Sequence, residues 1–291
     1  MLQFPSSLDD DAVWQRWREW KLANAPQSAA ELLVEVKNPR ALSPAEHEAI
    51  LQRICRCNMA IYVSPASEED SSILRLLGRQ FGLEHLDANW LADEDGISEI
   101  TVNSSGTRRS YIPYTDRPIK WHTDGYYNPP ERTIRGMVLH CVHNAAEGGE
   151  NRLMDHELAY LMLRDANPQH ILALMQPDAM TIPERVDEAD GIRPAQSGPV
   201  FSVDAASGNL HMRYTARTRS IEWKQEEQTL AAVAALEKLL GSDSSYIYRT
   251  RLEPGMGVLC NNVLHDRSAF RNDADHTRLL FRARYFDRIG N

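Results

Sequence analysis

Short segments that predict β-strands fill the chain from about Ile97 onward, and this pattern constrains the fold more than any other feature. The segments are continuously apolar or alternate between apolar and polar side chains, and Gly, Pro, Asn and Asp separate them. Such punctuation is typical of an all-β sandwich or barrel. The predicted strands are ISEITVNS, RGMVLHCVH, PVFSVDA, NLHMRYTA, SYIYRTRL, GVLCNNVL and RLLFRARYF. Two predicted helices interrupt them, HELAYLMLRDA after Asp155 as N-cap and EEQTLAAVAALEKLLG ending at Gly241.

The first 96 residues are mainly helical in pattern. Ser43-Pro44-Ala45-Glu46 is a capping box with proline at the first helical position, and it opens a helix through about Cys57. DDDAVWQRWREWKLA and SSILRLLGRQFG predict two more helices, and MAIYVS predicts a short buried strand. No repeat, low-complexity tract or linker divides the chain. We therefore predict one domain over residues 1–291, with a mainly helical part (1–96) and a β core with helical insertions (97–291).

Charge and cysteine usage exclude several classes of protein. A formal net charge of −9 argues against a nonspecific nucleic-acid or acidic-membrane binder. No apolar run approaches the ~18 residues of a membrane span, and the N-terminus lacks the pattern of a signal peptide. Cys55, Cys57, Cys141 and Cys260 form no C-x-x-C pair, so free thiols in a reducing compartment are expected. We predict a cytoplasmic protein with no nucleic-acid or membrane partner.

The pair His122 and Asp124, within WHTDGYYN, is the first candidate for chemistry. Residues two apart share one face of a strand, so both side chains can reach one metal ion if the chain is extended there. His265 follows the predicted strand GVLCNNVL. Two imidazoles and one carboxylate on one face, with open positions opposite, suit a mononuclear oxygen-activating iron. A second H-x-D, at residues 85–87, lies between a helix-ending glycine and a polar loop, with no predicted strand to hold it.

Arginines occupy one face of the last predicted strand. Alternation in RLLFRARYF puts Arg278, Arg282 and Arg284 on the same side. An unpaired buried charge costs several kcal/mol, so such a face needs anions. A dicarboxylate ligand would supply one through the bidentate geometry of arginine. Alternation alone leaves open the other interpretation, in which these arginines form a solvated edge or pair with Asp and Glu.

Four motifs resemble one enzyme family in their order along the chain. WHTDG, GGEN at 148–151, NNVLHDRSAF and TRLLFRARYF are similar to the taurine dioxygenase-like (TauD/TfdA) family of Fe(II)/2-oxoglutarate-dependent oxygenases. LHDRSAF, with an arginine thirteen residues after the histidine, is especially similar to the γ-butyrobetaine hydroxylase branch. The resemblance covers about residues 97–288. It implies a double-stranded β-helix, a cupin-like jelly roll, so we expect a mainly β fold with flanking helices.

The resemblance also implies roles for particular residues. It assigns Fe(II) to His122, Asp124 and His265, and the distal carboxylate of 2-oxoglutarate to Arg278. Asn151 stands where relatives often have a threonine that binds the same carboxylate, and its amide can donate a similar hydrogen bond.

Substrate contacts are less defined by the sequence. Arg282 matches a position that holds an anionic substrate group in some relatives, and Tyr114 matches one aromatic of the quaternary-ammonium cage in the γ-butyrobetaine branch. The rest of that cage is not found at matching positions. Tyr126 and Tyr127 are either core aromatics or substrate contacts. The roles of four further arginines stay open, namely Arg213, Arg217, Arg219 and Arg284.

The function implied is an Fe(II)- and 2-oxoglutarate-dependent dioxygenase. It would use O2 to hydroxylate an unactivated C–H bond of a small polar, anionic metabolite while 2-oxoglutarate becomes succinate and CO2. Desaturation is another oxidative outcome, and a homo-oligomer is compatible with the resemblance. Two alternatives stay open: a metal-dependent hydrolase that uses a bound water as nucleophile, and a non-catalytic small-molecule-binding jelly roll. A zinc protease is rejected, because HELAY lacks a second histidine four residues after the first.

Overall fold

The computed structural model describes residues 3–5, 10–88, 96–102, 111–187, 191–217 and 221–290. The helices of the described residues are α1 (Asp11–Asn24), α2 (Pro44–Cys57), α3 (Ser72–Arg79), α4 (His156–Ala166), α5 (Pro168–Leu174) and α6 (Glu227–Leu240). The strands are β1 (Leu33–Glu35), β2 (Met59–Val63), β3 (Ser98–Ile100), β4 (Ile119–His122), β5 (Gly136–His143), β6 (Glu147–Gly148), β7 (Asn151–Met154), β8 (Met180–Ile182), β9 (Arg185–Asp187), β10 (Gly191–Arg193), β11 (Gln196–Gly198), β12 (Phe201–Val203), β13 (Leu210–Met212), β14 (Glu222–Trp223), β15 (Tyr248–Thr250), β16 (Met256–Cys260), β17 (Leu264–Arg267), β18 (Phe270–Arg271) and β19 (Leu279–Tyr285).

Two larger sheets organise the molecule. One has six strands in the order β1-β2-β16-β5-β19-β3, and the other has four in the order β15-β7-β17-β4. One buried cluster takes its apolar side chains from both sheets. Its members include Met137, Leu139, Cys141, Leu153, Tyr248, Val258, Cys260 and Leu280. The β core therefore closes around side chains of both sheets, and the helices lie outside it.

The outer face of the six-stranded sheet is covered by α2 and α3. Ile50, Ile54 and Leu77 of these helices pack in one buried cluster with Phe281 and Ala283 of β19. Leu280, immediately before Phe281, belongs instead to the cluster shared by the two sheets. The predicted alternation in this strand is thus present from Leu280 to Tyr285.

A second helical layer, α4 to α6, packs beside the four-stranded sheet. Leu158 of α4, Ile171 of α5 and Leu236 of α6 share a buried cluster with Trp121 of β4 and Leu264 of β17. No described helix is long and apolar enough to cross a membrane.

Most local predictions agree with the structure. Each of the seven predicted strands overlaps an observed strand, whereas β4 and β7 were not predicted. The predicted strand GVLCNNVL was too long, because β16 ends at Cys260 and β17 begins at Leu264. The capping box of α2 is formed, since the Ser43 side chain accepts from the Glu46 N–H and the Glu46 side chain accepts from the Ser43 N–H. The Asp155 side chain caps α4 as predicted. The prediction for α3 was too long, because this helix ends at Arg79 and the chain then turns through Gly82.

The mainly helical part is joined to the β core by backbone pairing. β1 pairs in parallel with β2, and β2 pairs antiparallel with β16. Residues 33–35 and 59–63 therefore belong to the same six-stranded sheet as β5 and β19. The structure thus consists of β-sheets with helices packed against them, which agrees with the predicted fold class in its coarse form.

Candidate metal centre

His122 and His265 are brought together by the pairing of β4 with β17. The two strands run antiparallel, and His265 lies directly opposite His122, so the centroids of the two rings are 4.2 Å apart. Asp124 follows β4 in a turn, and its Oδ1 lies 3.9 Å from His122 Nε2. One donor atom from each of the three buried residues lies within 4.8 Å of the others. The structure thus brings the three predicted residues together, although Asp124 is in a turn rather than an extended strand.

Glycine is needed immediately after this carboxylate. Gly125 has a φ of 69°, which side chains rarely adopt, and a Cβ there would meet Ile134 Cγ1 at 2.4 Å. The turn can therefore bring Asp124 back toward the histidines only with glycine at 125.

The histidine rings are oriented with Nε2 toward the centre of the site. His122 Nδ1 lies 2.9 Å from the Lys120 carbonyl, and His265 Nδ1 lies 2.9 Å from the Val263 carbonyl. A carbonyl oxygen only accepts, so each Nδ1 carries a proton, and Nε2 is the ring nitrogen left to donate a lone pair to a metal. Burial, reinforced by His265, lowers the pKa of His122 to about 3. The ring is therefore neutral near pH 7, as a metal ligand must be.

The Asp124 carboxylate is ionised and incompletely paired. Burial alone would raise its pKa, but the positive charges of Arg282 and Arg284 outweigh burial and hold the pKa well below its usual range. Among the residues that the structure describes, Asp124 Oδ2 has no hydrogen-bond partner. A buried polar atom without a partner calls for an explanation, and a bound cation would supply one. Two imidazoles and one anionic oxygen match the donor set expected for Fe(II).

Arg278 lies immediately before β19, and a register shift separates Leu279 from Leu280. Its side chain is 5% exposed and lies over the Phe270 ring, 5.0 Å from the centroid. Burial lowers its pKa to about 10. No ion pair joins it to a carboxylate in the part of the chain that the structure describes. A buried guanidinium of this kind is a candidate for binding an anion.

The GGEN segment lies against this arginine. Gly149 has a φ of 75°, and a Cβ there would lie 3.3 Å from Arg278 Nε. Asn151 is buried at the start of β7, where its Nδ2 donates to the Asp266 carbonyl at 3.1 Å. Its Oδ1 has no hydrogen-bond partner within the described ranges. The second N–H of the amide is thus the group available for the predicted contact with a carboxylate.

The two arginines within β19, Arg282 and Arg284, do have acidic partners. Arg282 Nη1 lies 3.2 Å from Asp124 Oδ1. Arg284 is buried, donates to Asp87 Oδ2 at 2.6 Å, and donates to Tyr127 OH at 2.8 Å. The interpretation of these arginines as partners of Asp or Glu is therefore right for Arg284. Asp87 is the aspartate of the second H-x-D. The histidine of that motif, His85, pairs instead with Asp287 at the surface.

The predicted tyrosines differ in their surroundings. Tyr126 is buried, its OH accepts from Arg217 Nη1 at 3.3 Å, and its carbonyl accepts from Arg213 Nε at 2.7 Å. Tyr114 is fully buried in the short helical turn Ile112–Tyr114. Arg213 also donates to the carbonyls of Met180, Gln196 and Gly198. Arg213 is therefore occupied by backbone, whereas Arg219 lies outside the described residues.

Three residues near the centre escaped the sequence-based prediction. Arg193 of β10 lies 5.0 Å from the centroid of the Tyr127 ring, and its buried Nε has no partner among the described residues. Asn262 contacts Asp124, and Asp87 neutralises Arg284. The NN of NNVLHD was the available signal for Asn262. No local signal marks Arg193 or Asp87, because their contacts lie far away in the chain.

Comparison with known proteins gives consistent results. A family model described as "Taurine catabolism dioxygenase TauD, TfdA family" matches residues 25–284. A uridine-5'-phosphate dioxygenase from Amycolatopsis sp is 30% identical over 173 residues, which are 57% of this chain and 60% of that protein. A uridine-5'-phosphate dioxygenase from Streptomyces sp is 25% identical over 197 residues, covering 66% and 70%. The chain thus matches about three fifths of the length of the Amycolatopsis protein.

Solved structures show the same fold. An asparagine oxygenase in complex with Fe(II), 2S,3S-3-hydroxyasparagine and succinate has a TM-score of 0.58 and 14% sequence identity. The similarity covers 93% of this chain and 91% of that one.

Proposed function

The chain belongs to the TauD, TfdA family of dioxygenases, and on that premise we propose that it hydroxylates a nucleoside 5′-monophosphate with Fe(II), O2 and 2-oxoglutarate. The family predicted from the four motifs is thereby confirmed. It is a family of Fe(II)- and 2-oxoglutarate-dependent oxygenases, which agrees with the predicted enzyme class and cofactors. In this proposal 2-oxoglutarate becomes succinate and CO2, and an unactivated C–H bond of the substrate is hydroxylated.

The three residues of the centre would hold Fe(II), which activates O2 when bound. His122 and His265 offer their Nε2 lone pairs because backbone carbonyls hold the Nδ1 protons. Asp124 offers an ionised carboxylate with an unpaired Oδ2. Arg278 would bind the distal carboxylate of 2-oxoglutarate and so orient the cosubstrate. Asn151 would add one N–H to that carboxylate.

The observation that carries the substrate class is a surplus of guanidinium groups. With Fe(II), Asp124, the 2-oxoglutarate dianion and Arg278 in place, the formal charges of the centre cancel. Three more arginines lie beside Asp124 or the Tyr126–Tyr127 pair that follows it. Arg193 and Arg217 contact these tyrosines directly, and the third, Arg282, lies against Asp124. Apart from Asp124, no carboxylate pairs with these three in the described ranges of the chain.

Several unneutralised cations favour a substrate that carries more than one negative charge. A phosphate monoester supplies such a charge and several acceptor oxygens for arginine. An amino-acid substrate would supply one carboxylate together with an unfavourable ammonium group. The names of the two curated relatives specify uridine-5'-phosphate, a phosphate monoester of a nucleoside. Both considerations support the same class of substrate.

We further propose that the two larger sheets form the double-stranded β-helix of the family within one domain. Cytoplasmic location and the oligomeric state stay predictions.

The proposal is tested in two stages with purified protein. Under anaerobic conditions, Fe(II) and 2-oxoglutarate should together produce a metal-to-ligand absorption band, and His122→Ala should abolish it while His85→Ala should not. With O2, succinate formation should rise on addition of uridine 5′-monophosphate or another nucleoside 5′-monophosphate, but not with uridine. Mass spectrometry of the substrate then identifies hydroxylation or another oxidation.

Other outcomes would reject different parts of the proposal. Stimulation by asparagine, arginine or taurine in place of nucleotides would refute the substrate class and leave the oxygenase intact. Turnover with Zn(II) in the absence of O2 would favour the hydrolase. Absence of an absorption band and of succinate would favour the non-catalytic jelly roll.

A further inference from the structure

The turn between β16 and β17 contains an asparagine whose side chain binds the backbone of Asp124. Asn262 is 1% exposed and has a φ of 50°. Its Oδ1 accepts from the Asp124 N–H at 2.8 Å, and its Nδ2 donates to the Asp124 carbonyl at 2.9 Å. Nδ2 also donates to the Ile134 carbonyl at 2.7 Å. One amide side chain therefore satisfies both main-chain polar groups of Asp124.

Asp124 depends on this contact because it lies beyond the end of β4. The strand ends at His122, and the next residue, Thr123, still pairs through its N–H with the Tyr214 carbonyl at 3.0 Å. Among the described strands, none is paired with Asp124 itself. A buried backbone N–H or C=O without a partner destabilises the fold, so the side chain of Asn262 replaces a missing strand neighbour.

The same turn also orients another residue of the centre. Val263, next to Asn262, provides the carbonyl that lies 2.9 Å from His265 Nδ1. His265 itself is three residues after Asn262. The turn thus carries one imidazole, fixes its ring, and clamps the backbone from which the Asp124 carboxylate extends.

We propose that Asn262 is a positioning residue that holds the Asp124 carboxylate in register with His265 for metal binding. Without the clamp, the carboxylate is freer to turn toward Arg282, whose Nη1 is already 3.2 Å from Asp124 Oδ1. Loss of Asn262 therefore weakens metal binding more than it weakens the fold. This inference relies on the proposed function only in that His122, Asp124 and His265 bind a metal ion.

Asn261 offers a matched control in the same turn. It is also buried, and its side chain makes three hydrogen bonds: to Asn58 Oδ1 at 3.2 Å, to the Ile289 carbonyl at 3.2 Å, and from the Ile289 N–H at 2.9 Å. None of these bonds involves the metal centre. Replacing Asn261 removes as many hydrogen bonds as replacing Asn262, so a merely structural role predicts similar effects for both.

The experiment compares Asn262→Gly, which tolerates the positive φ, with Asn261→Gly. Metal-free full-length protein is titrated anaerobically with Fe(II), and thermal unfolding is recorded in parallel. Asn262→Gly should weaken Fe(II) binding by about 10- to 100-fold, as expected when a group that orients a metal ligand is lost. Asn261→Gly should lower the unfolding temperature comparably while changing Fe(II) affinity less than about threefold.

A second variant covers the case in which Asn262→Gly does not fold. Asn262→Asp keeps an acceptor for the Asp124 N–H but loses both donated hydrogen bonds. Its extra negative charge itself attracts cations, so it is judged by the visible d–d spectrum of the Co(II)-substituted protein, which reports ligand geometry. The spectrum should change in Asn262→Asp and not in Asn261→Asp. Equal Fe(II) affinities, or equal spectra, for the two positions would overturn the proposal. Failure of the wild-type protein to bind Fe(II) would instead reject the proposed function and this inference with it.

Discussion

Replacing Arg278 with methionine should move protein stability and cosubstrate affinity in opposite directions. The guanidinium is 5% exposed, its pKa is lowered to about 10 by burial, and no carboxylate pairs with it among the described residues. In the cosubstrate-free protein it is therefore a charge held away from water without an anion. If 2-oxoglutarate supplies that anion, removing the charge should harm binding and help folding.

The two magnitudes follow from different costs. An unpaired buried ion costs several kcal/mol after relaxation, and the cation–π contact with Phe270 returns about 1–2 kcal/mol of that. Arg278→Met should therefore raise the free energy of unfolding by about 1–2 kcal/mol. Losing one partner of a buried, hydrogen-bonded charge pair costs about 2–5 kcal/mol, and every 1.4 kcal/mol is tenfold in affinity. The dissociation constant of 2-oxoglutarate should rise roughly 30-fold to several thousand-fold.

Arg284→Met is the matched control on the same strand. It leaves Asp87, 1% exposed, with Arg132 as its remaining cationic partner. Breaking a buried pair by removing one partner costs about 3–5 kcal/mol, so we expect a loss near the lower end, about 3 kcal/mol. Its effect on 2-oxoglutarate affinity should be small in the fraction that folds.

The assay combines urea unfolding of the cosubstrate-free protein with anaerobic titration of 2-oxoglutarate, read from the absorption band of the Fe(II) complex. A destabilised Arg278→Met protein would show that an acidic partner neutralises this arginine within the fold. Unchanged 2-oxoglutarate affinity would show that the cosubstrate carboxylate binds elsewhere. Either result refutes the reasoning.

Three further predictions rest on other groups. His122→Ala should abolish Fe(II) binding in an anaerobic titration, whereas His85→Ala should leave it unchanged, and equal affinities in the two variants would contradict the metal site. Lys21→Met should lower the free energy of unfolding by about 3–5 kcal/mol, because it leaves the buried Asp155 and Glu157 carboxylates unpaired; an unchanged urea midpoint would contradict this. The metal-free protein should lose stability as the pH falls from 7.5 to 5.0. Burial lowers the pKa of His122 to about 3 and of His140 to about 4, so the unfolded chain takes up protons below about pH 6.5 that the folded chain does not. The loss should be roughly 1–2 kcal/mol per histidine in urea unfolding. His140→Gln should reduce the slope, and a flat pH profile would argue against neutral buried histidines.

Sequence patterns predicted best what depends on nearby residues. Alternation within β19 and the caps of α2 and α4 involve residues a few positions apart, so their physical causes are visible in the chain itself. The pairing of His265 with His122 is of another kind, because it depends on two strands that are adjacent only in space. Residue spacing made this pairing a hypothesis, and the resemblance to a family made it specific.

The two H-x-D pairs show where local reasoning ends. Absence of a predicted strand argued against residues 85–87 as a metal site, but it gave no role to Asp87. That role depends on Arg284, which is 197 positions away and 2.6 Å from the carboxylate. Arg213 is a similar case. The sequence left its role open, and in the structure its side chain donates to four backbone carbonyls. Partners that arrive from distant segments cannot be read from residue type.

Arg278, just before β19, and Arg282 and Arg284, within it, differ in their carboxylate partners. This difference explains why the three arginines should respond differently to substitution. Arg284, near the end of the strand, has Asp87 as a buried partner. Arg282 shares Asp124 with the metal centre, so metal binding there would reduce its neutralisation. Arg278 forms no ion pair with a carboxylate of the described residues. Going from Arg284 to Arg278, an increasing part of the positive charge is thus left for ligands, and substitution should cost stability at the first position and ligand affinity at the last.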